Sequence, residues 1–234
     1  MGRVAGIEVR VDSSWAVIAL LVTYTMYLRS SIVYPELSGA GAVGIAVLAT
    51  VLFFGSVLVH ELAHALVSQA RGIRVQDITL FLFGGATRAR VDSRGPGDEF
   101  LITVVGPLTS LLLAGLFGLG NLAGRNALPP PLVGTLGYLA WTNLLLAAFN
   151  LVPGFPLDGG RLLRSAIWKA TGNLRRATRI ASVAGQGAGW LLVAAGVVAL
   201  LAGNLAGGIW YAFIGWFLVQ AARSSYQELP AARR

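Results

Sequence analysis

The sequence predicts an all-α polytopic membrane protein: six transmembrane helices, with a small β-strand or hairpin element after the second span. Composition points there first. Of 234 residues, 56% are hydrophobic and 12% charged, against about 45–50% and 25% in an ordinary soluble domain. Mean hydropathy is +0.71. Length comes second, because several apolar runs approach the roughly 20 residues that cross a bilayer as a helix. The third observation is the placement of charge. With spans near 15–34, 41–69, 100–122, 132–152, 177–202 and 207–222, sixteen of the eighteen Lys and Arg residues fall on one side and only Arg29 and Arg125 on the other. The positive-inside rule then puts both termini in the cytoplasm.

That asymmetry also explains the net charge of +8. It is a topology signal, so nucleic acid is not an expected partner, whereas the lipid bilayer is. A prokaryotic cell (inner) membrane is the expected location. The absence of cysteine removes disulfides and thiolate ligands. The first apolar run has no evident A-x-A cleavage site and reads as a span, not a signal peptide. Residues 1–234 read as a single domain without internal repeats, and the oligomeric state is not legible.

Before the first span, Ile7, Val9 and Val11 alternate as in a short strand. After the second, residues 72–91 carry Ile73, Val75 and the run from Ile78 to Phe83, with Gly84-Gly85 offering a turn. Strands at membrane depth are tolerated only under a protein cover or beside a wet cavity. Residues 93–98 and 126–131, rich in Gly and Pro, read as loops. The last two spans, joined by a short uncharged Gly-rich link, read as an antiparallel pair. Asn143 in span four reads as an interhelical hydrogen-bonding residue, and the thirty glycines suit close helix packing in lipid.

The chemistry lies in span two. His60-Glu61-Leu62-Ala63-His64 contains both histidines of the chain. In this H-E-x-x-H pattern the histidines stand four apart on a helix, so both imidazoles share one face and can hold one Zn²⁺. Glu61 sits to the side, placed to take the proton of an attacking water. Burying such groups at membrane depth costs several kcal/mol, which argues for chemistry. A catalytic zinc needs a third protein ligand. With no further His and no Cys, it must be a carboxylate. Asp158 stands out among the ten acidic residues: it follows a long apolar helix, in Asn150-Leu-Val-Pro-Gly-Phe-Pro-Leu-Asp158-Gly-Gly-Arg161. Span two and span four run in the same direction, so both halves of the site fall near the cytoplasmic side. An ion pair of Asp158 with Arg161 is the alternative, compatible with ligation. Arg161 and Arg164 read as topology determinants.

These residues resemble the site-2 protease family of intramembrane zinc metalloproteases. The HELAH helix, the glycine-containing β segment and the N-x-x-P-x-x-P-L-D-G segment occur in the family's order. The Val11–Trp15 entry into span one and Gly106-Pro107 in span three fit as well. The resemblance implies that His60, His64 and Asp158 hold zinc and that Glu61 is the catalytic carboxylate. It implies that Asn150 hydrogen-bonds the substrate backbone or the tetrahedral oxyanion, an interhelical bond being the alternative. The Phe83–Thr87 stretch, with Gly84 and Gly85, is placed either to pair with an extended substrate as an added strand or simply to pack as a hairpin. The implied activity is hydrolysis of a peptide bond within or near a transmembrane segment of a membrane protein or peptide. The six-span layout resembles the group that often continues into CBS domains, and none is expected here, since the sequence stops at Arg234. A non-proteolytic zinc-binding scaffold or a metal carrier is the alternative. Ligands gathered in one cluster disfavour a carrier, and the retained Glu61 disfavours a scaffold.

Overall fold

The computed structural model describes residues 2–81, 84–89 and 93–227. Its elements are β1 (Gly2–Val4), β2 (Ile7–Val11), α1 (Ser13–Val33), α2 (Gly39–Ala70), β3 (Val75–Phe81), β4 (Gly84–Ala89), α3 (Pro96–Gly124), α4 (Pro130–Asn150), α5 (Asp158–Thr171), α6 (Leu174–Leu201) and α7 (Leu205–Gln227). Among the described residues, every helix but α5 is long and apolar enough to cross a membrane, six helices in all. Large apolar side chains such as Leu112, Leu116, Leu119, Leu191 and Leu201 are exposed along them, as lipid-facing residues must be.

The chain forms two compact units. The first holds the sheet, α1, α2, α3 from Val105 and α4 to Ala148; the second holds Ser93–Val104 and the chain from Phe149 onward.

In the first unit the strands form one sheet in the order β1-β2-β3-β4. β2 pairs parallel with β3, and β3 antiparallel with β4. Parallel neighbours need a long crossover, here α1 and α2. Asp12 joins sheet to helix: its backbone N–H donates to Leu80 O at 2.8 Å, and its side chain caps α1 by accepting from Ser14 N at 2.9 Å. Those Ser14 bonds hold the Asp12 carboxyl below the usual carboxylate range. Trp15 then packs edge-on against Phe54 of α2. One sheet face, with Ile7, Val75 and Ile78, packs on Leu58, Leu62 and Ala65 of α2. α2 has 32 residues, about 48 Å at 1.5 Å per residue. It overshoots the ~30 Å hydrocarbon core, leaving its end to carry the sheet. Asn143 Nδ2 donates to Ser56 Oγ at 3.2 Å, the expected interhelical bond.

Three local expectations are corrected. Gly84 and Gly85 are paired strand residues, opposite Phe81 and Leu80, while Leu82 and Phe83 lie outside the described residues. Pro96 and Pro130 begin helices instead of lying in loops, because proline's fixed φ and missing N–H suit a first helical turn. Asp98 and Glu99 in that turn of α3 complement its positive end.

In the second unit, the interrupted stretch after α4 is a tight backbone knot followed by α5, a helix the Pro and Gly pattern conceals. α6 and α7 pack closely through small residues. A Cβ added at Gly189 would lie 2.8 Å from Gly215 O and 2.7 Å from Val219 Cγ2. Ser182 Oγ donates to Ala222 O at 2.6 Å. Gly189→Val is expected to destabilise the protein by about 1–3 kcal/mol through overpacking, whereas Gly187→Ala, with nothing within 4 Å of its Cβ, should be neutral. Thermal unfolding in detergent distinguishes the two; equal midpoints would refute this packing.

Candidate metal centre and active site

Helical spacing sets His60 and His64 on one face of α2, and both are buried. Their Nε2 atoms stand 3.2 Å apart. A tetrahedral zinc with bonds of roughly 2.0–2.1 Å holds two ligand nitrogens about 3.3 Å apart. The two rings meet edge-to-face, with centres 4.9 Å apart. His60 Nδ1 lies 2.9 Å from Ser110 Oγ. With Nε2 kept as a lone-pair donor, Nδ1 carries the proton and donates it to that hydroxyl, which fixes tautomer and ring plane.

Space for an ion comes from α3. A Cβ built on Gly106 would fall 2.7 Å from His60 Nε2 and closer still to the His64 ring. Real Cβ atoms do not approach so near, so this face of α3 must carry a glycine where the two nitrogens converge. The cradle fits a small cation. Pro107 follows inside the helix and has no N–H for the carbonyl four residues earlier, a local break common where helices line a polar site.

Glu61 is half-buried. Ile78 faces α2, so Leu80, two residues on, faces it too, and Gly85 opposite Leu80 shares that face. A Cβ at Gly85 would overlap Glu61 Cγ, so the strand's backbone backs the carboxylate directly. β4 is the last strand in the sheet order, with Gly84 and Gly85 at its start.

The other two candidates lie in the second unit. Asn150 closes α4 and Asp158 opens α5, both half-buried. Between them Gly154 N donates to Val152 O at 2.8 Å and Leu157 N to Gly154 O at 3.1 Å. The chain folds back so tightly that a Cβ on Gly159 would strike the backbone of Leu151 and Val152, and one on Gly160 that of Gly154 and Phe155. The two glycines after Asp158 are thus a packing requirement: they let the start of α5 nest in the bend that precedes it.

The candidates legible in the sequence are His60, Glu61, His64, Asp158, Asn150, Gly84 and Gly85. The structure brings the histidines together and sets Gly85 against Glu61. Ser110 was missed, because a serine in an apolar helix carries no signal of its own. Gly106 was noticed only as part of a family pattern.

The family model for peptidase family M50 matches residues 48–124 and 125–195, which include both histidines and Asp158. The chain belongs to this family, the site-2 proteases. It is 42% identical over 225 residues to sll0528 of Synechocystis sp., provisionally named a zinc metalloprotease, covering 96% of this chain and 59% of that protein. It is 39% identical over 251 residues to Rip3 of Mycobacterium tuberculosis, named in the same way, covering 100% of this chain and 61% of Rip3. The chain therefore spans about three fifths of the length of these curated relatives. Its fold is that of the site-2 protease from Methanocaldococcus jannaschii, with a TM-score of 0.67 at 23% identity, covering 99% of this chain and 96% of that one. With the six apolar helices, membership of this M50 family makes the chain an integral membrane protein.

Gly106→Ala is expected to lower zinc affinity by at least about tenfold, since the histidines must separate, and Ser110→Ala by about tenfold through loss of the orienting acceptor. Gly115→Ala on the same helix, with nothing within 4 Å of its Cβ, should bind as wild type. Chelator competition on the purified variants gives the comparison; Gly106→Ala binding as tightly as Gly115→Ala would refute the cradle.

Proposed function

We propose that this chain is a zinc-dependent endopeptidase that cleaves a peptide bond within or near a transmembrane segment of a membrane protein or peptide. The convergence of two buried imidazole nitrogens on a side-chain-free patch of α3, with Glu61 one residue away, carries this reading. His60, His64 and Asp158 would hold the ion. Asp158 is chosen because the chain has no cysteine and no third histidine, and because its carboxylate follows a backbone knot of the kind found beside polar cavities. Zinc, when bound, supplies a Lewis acid that lowers the pKa of water and polarises a carbonyl.

The chain's own residues do the rest. Glu61 takes the proton from the attacking water and returns it to the leaving amine. The backbone of Gly85 leaves this carboxylate room on one side and limits its motion on the other. Asn150 offers an amide N–H to the substrate backbone or to the developing oxyanion. An extended substrate adds to the sheet along the outer edge of β4, with Gly84 and Gly85 in the register nearest the bond to be cut. Both termini and the site face the cytoplasm, on the strength of the sixteen-to-two division of basic residues.

Glu61→Gln keeps the volume and removes the base. It is expected to lower cleavage of a single-span reporter substrate by at least about a hundredfold while zinc content per chain stays at the wild-type value. Undiminished cleavage would contradict the mechanism. A variant that lost its zinc as well would show Glu61 to be part of the metal site instead.

A further inference from the structure

A buried ion pair joins two residues that the proposed metal and catalytic site does not use. Glu99, in the first turn of α3, is fully buried, and Arg164 of α5 is 7% exposed. Arg164 Nε donates to Glu99 Oε1 at 2.5 Å, and Nη2 reaches the same oxygen. The guanidinium also stands 5.1 Å from the centre of the Phe155 ring. Phe155 belongs to the bend ahead of α5, and its N–H donates to Ala181 O of α6 at 3.2 Å. One cation thus ties α5 to the start of α3 and to the bend.

Topology alone does not account for this arrangement. A charge that only sets orientation remains in water, as the exposed Arg175, Arg176 and Arg179 do. Net stability does not account for it either, because desolvation of a buried pair offsets most of its attraction. What a planar guanidinium held from two nitrogens supplies is direction. The need for direction is local. α5 has only 14 residues, and its N-cap, Leu157, makes no side-chain capping bond. The first turn, which holds Asp158, is seated on the bend by the close backbone packing of Gly159 and Gly160 but has no side-chain cap. Arg164 follows six residues later, about 9 Å along the axis.

We propose that Glu99 and Arg164 are a positioning pair: their bond fixes the rotation of α5 about its axis and so aims the Asp158 carboxylate at the metal. The proposal rests on Asp158 being a zinc ligand.

The test measures zinc affinity by chelator competition, together with the thermal midpoint, on the full detergent-purified chain. The variants are Glu99→Leu/Arg164→Met, Arg164→Lys, and His60→Ala as the reference without a site. Replacing both charges by apolar groups should leave the midpoint close to wild type and lower zinc affinity about 10–100-fold. Arg164→Lys keeps the charge but loses the fork, and should lose about tenfold. A folded double variant with wild-type zinc affinity overturns the proposal. If the double variant does not fold, Arg164→Lys decides alone, and wild-type affinity in it has the same consequence. Wild type binding zinc no better than His60→Ala would overturn the pair's role through failure of the metal site itself, an outcome distinct from the other two.

Discussion

Two imidazole nitrogens 3.2 Å apart, in a buried place where the facing helix has no side chain, constrain most of the first unit. Neither nitrogen can be held there by its own helix alone. Ser110 sets the His60 ring, Gly106 leaves the room, and the sheet braces the end of α2 through Ile7, Val75 and Ile78. The sheet in turn brings Gly85 against Glu61. Glu61 and the paired histidines are thus positioned from two sides of one helix, one packed on β-structure and the other on α3. Polar groups so buried, in a helix that crosses a membrane, carry a desolvation cost of several kcal/mol, which the proposed metal site would offset.

The second unit answers a different problem, how to end a membrane helix and start another element within a few residues. Backbone packed on backbone is the solution. Gly159 and Gly160 nest against Leu151–Phe155, and Gly185 of α6 lies against Phe155. The freed carbonyls and N–H groups find partners in the turn bonds among Phe149, Val152, Gly154, Leu157 and Gly160. This satisfies the rule that irregular backbone at such depth must be covered by protein. It also makes the N-x-x-P-x-x-P-L-D-G-G segment a structural unit in its own right, whose glycines leave no room for a side chain.

How far the sequence revealed this depended on the range of the interaction. Helix length and apolarity are local properties, and six long apolar helices are legible from them. The meeting of His60 with His64 was legible because residues four apart share one helix face. α5 was hidden because Pro153, Gly154, Pro156, Gly159 and Gly160 look locally like a loop, and only their contacts with Leu151–Phe155 and Gly185 turn them into a helix entry. The parallel pairing of β2 with β3 joins residues some seventy positions apart, and no periodicity encodes it. Ser110 and the Glu99–Arg164 bond were out of reach for the same reason: a serine, a glutamate and an arginine are unremarkable until a partner 50 or 65 positions away is known.

The proposed zinc site is completed by a carboxylate from the segment after α4. Zinc content per chain, measured on folded wild type and on Asp158→Ala, tests it most directly and needs no known substrate. About one zinc per chain is expected in wild type and almost none in the variant. Stoichiometric zinc retained by Asp158→Ala, or none in folded wild type after zinc is added back, would contradict it.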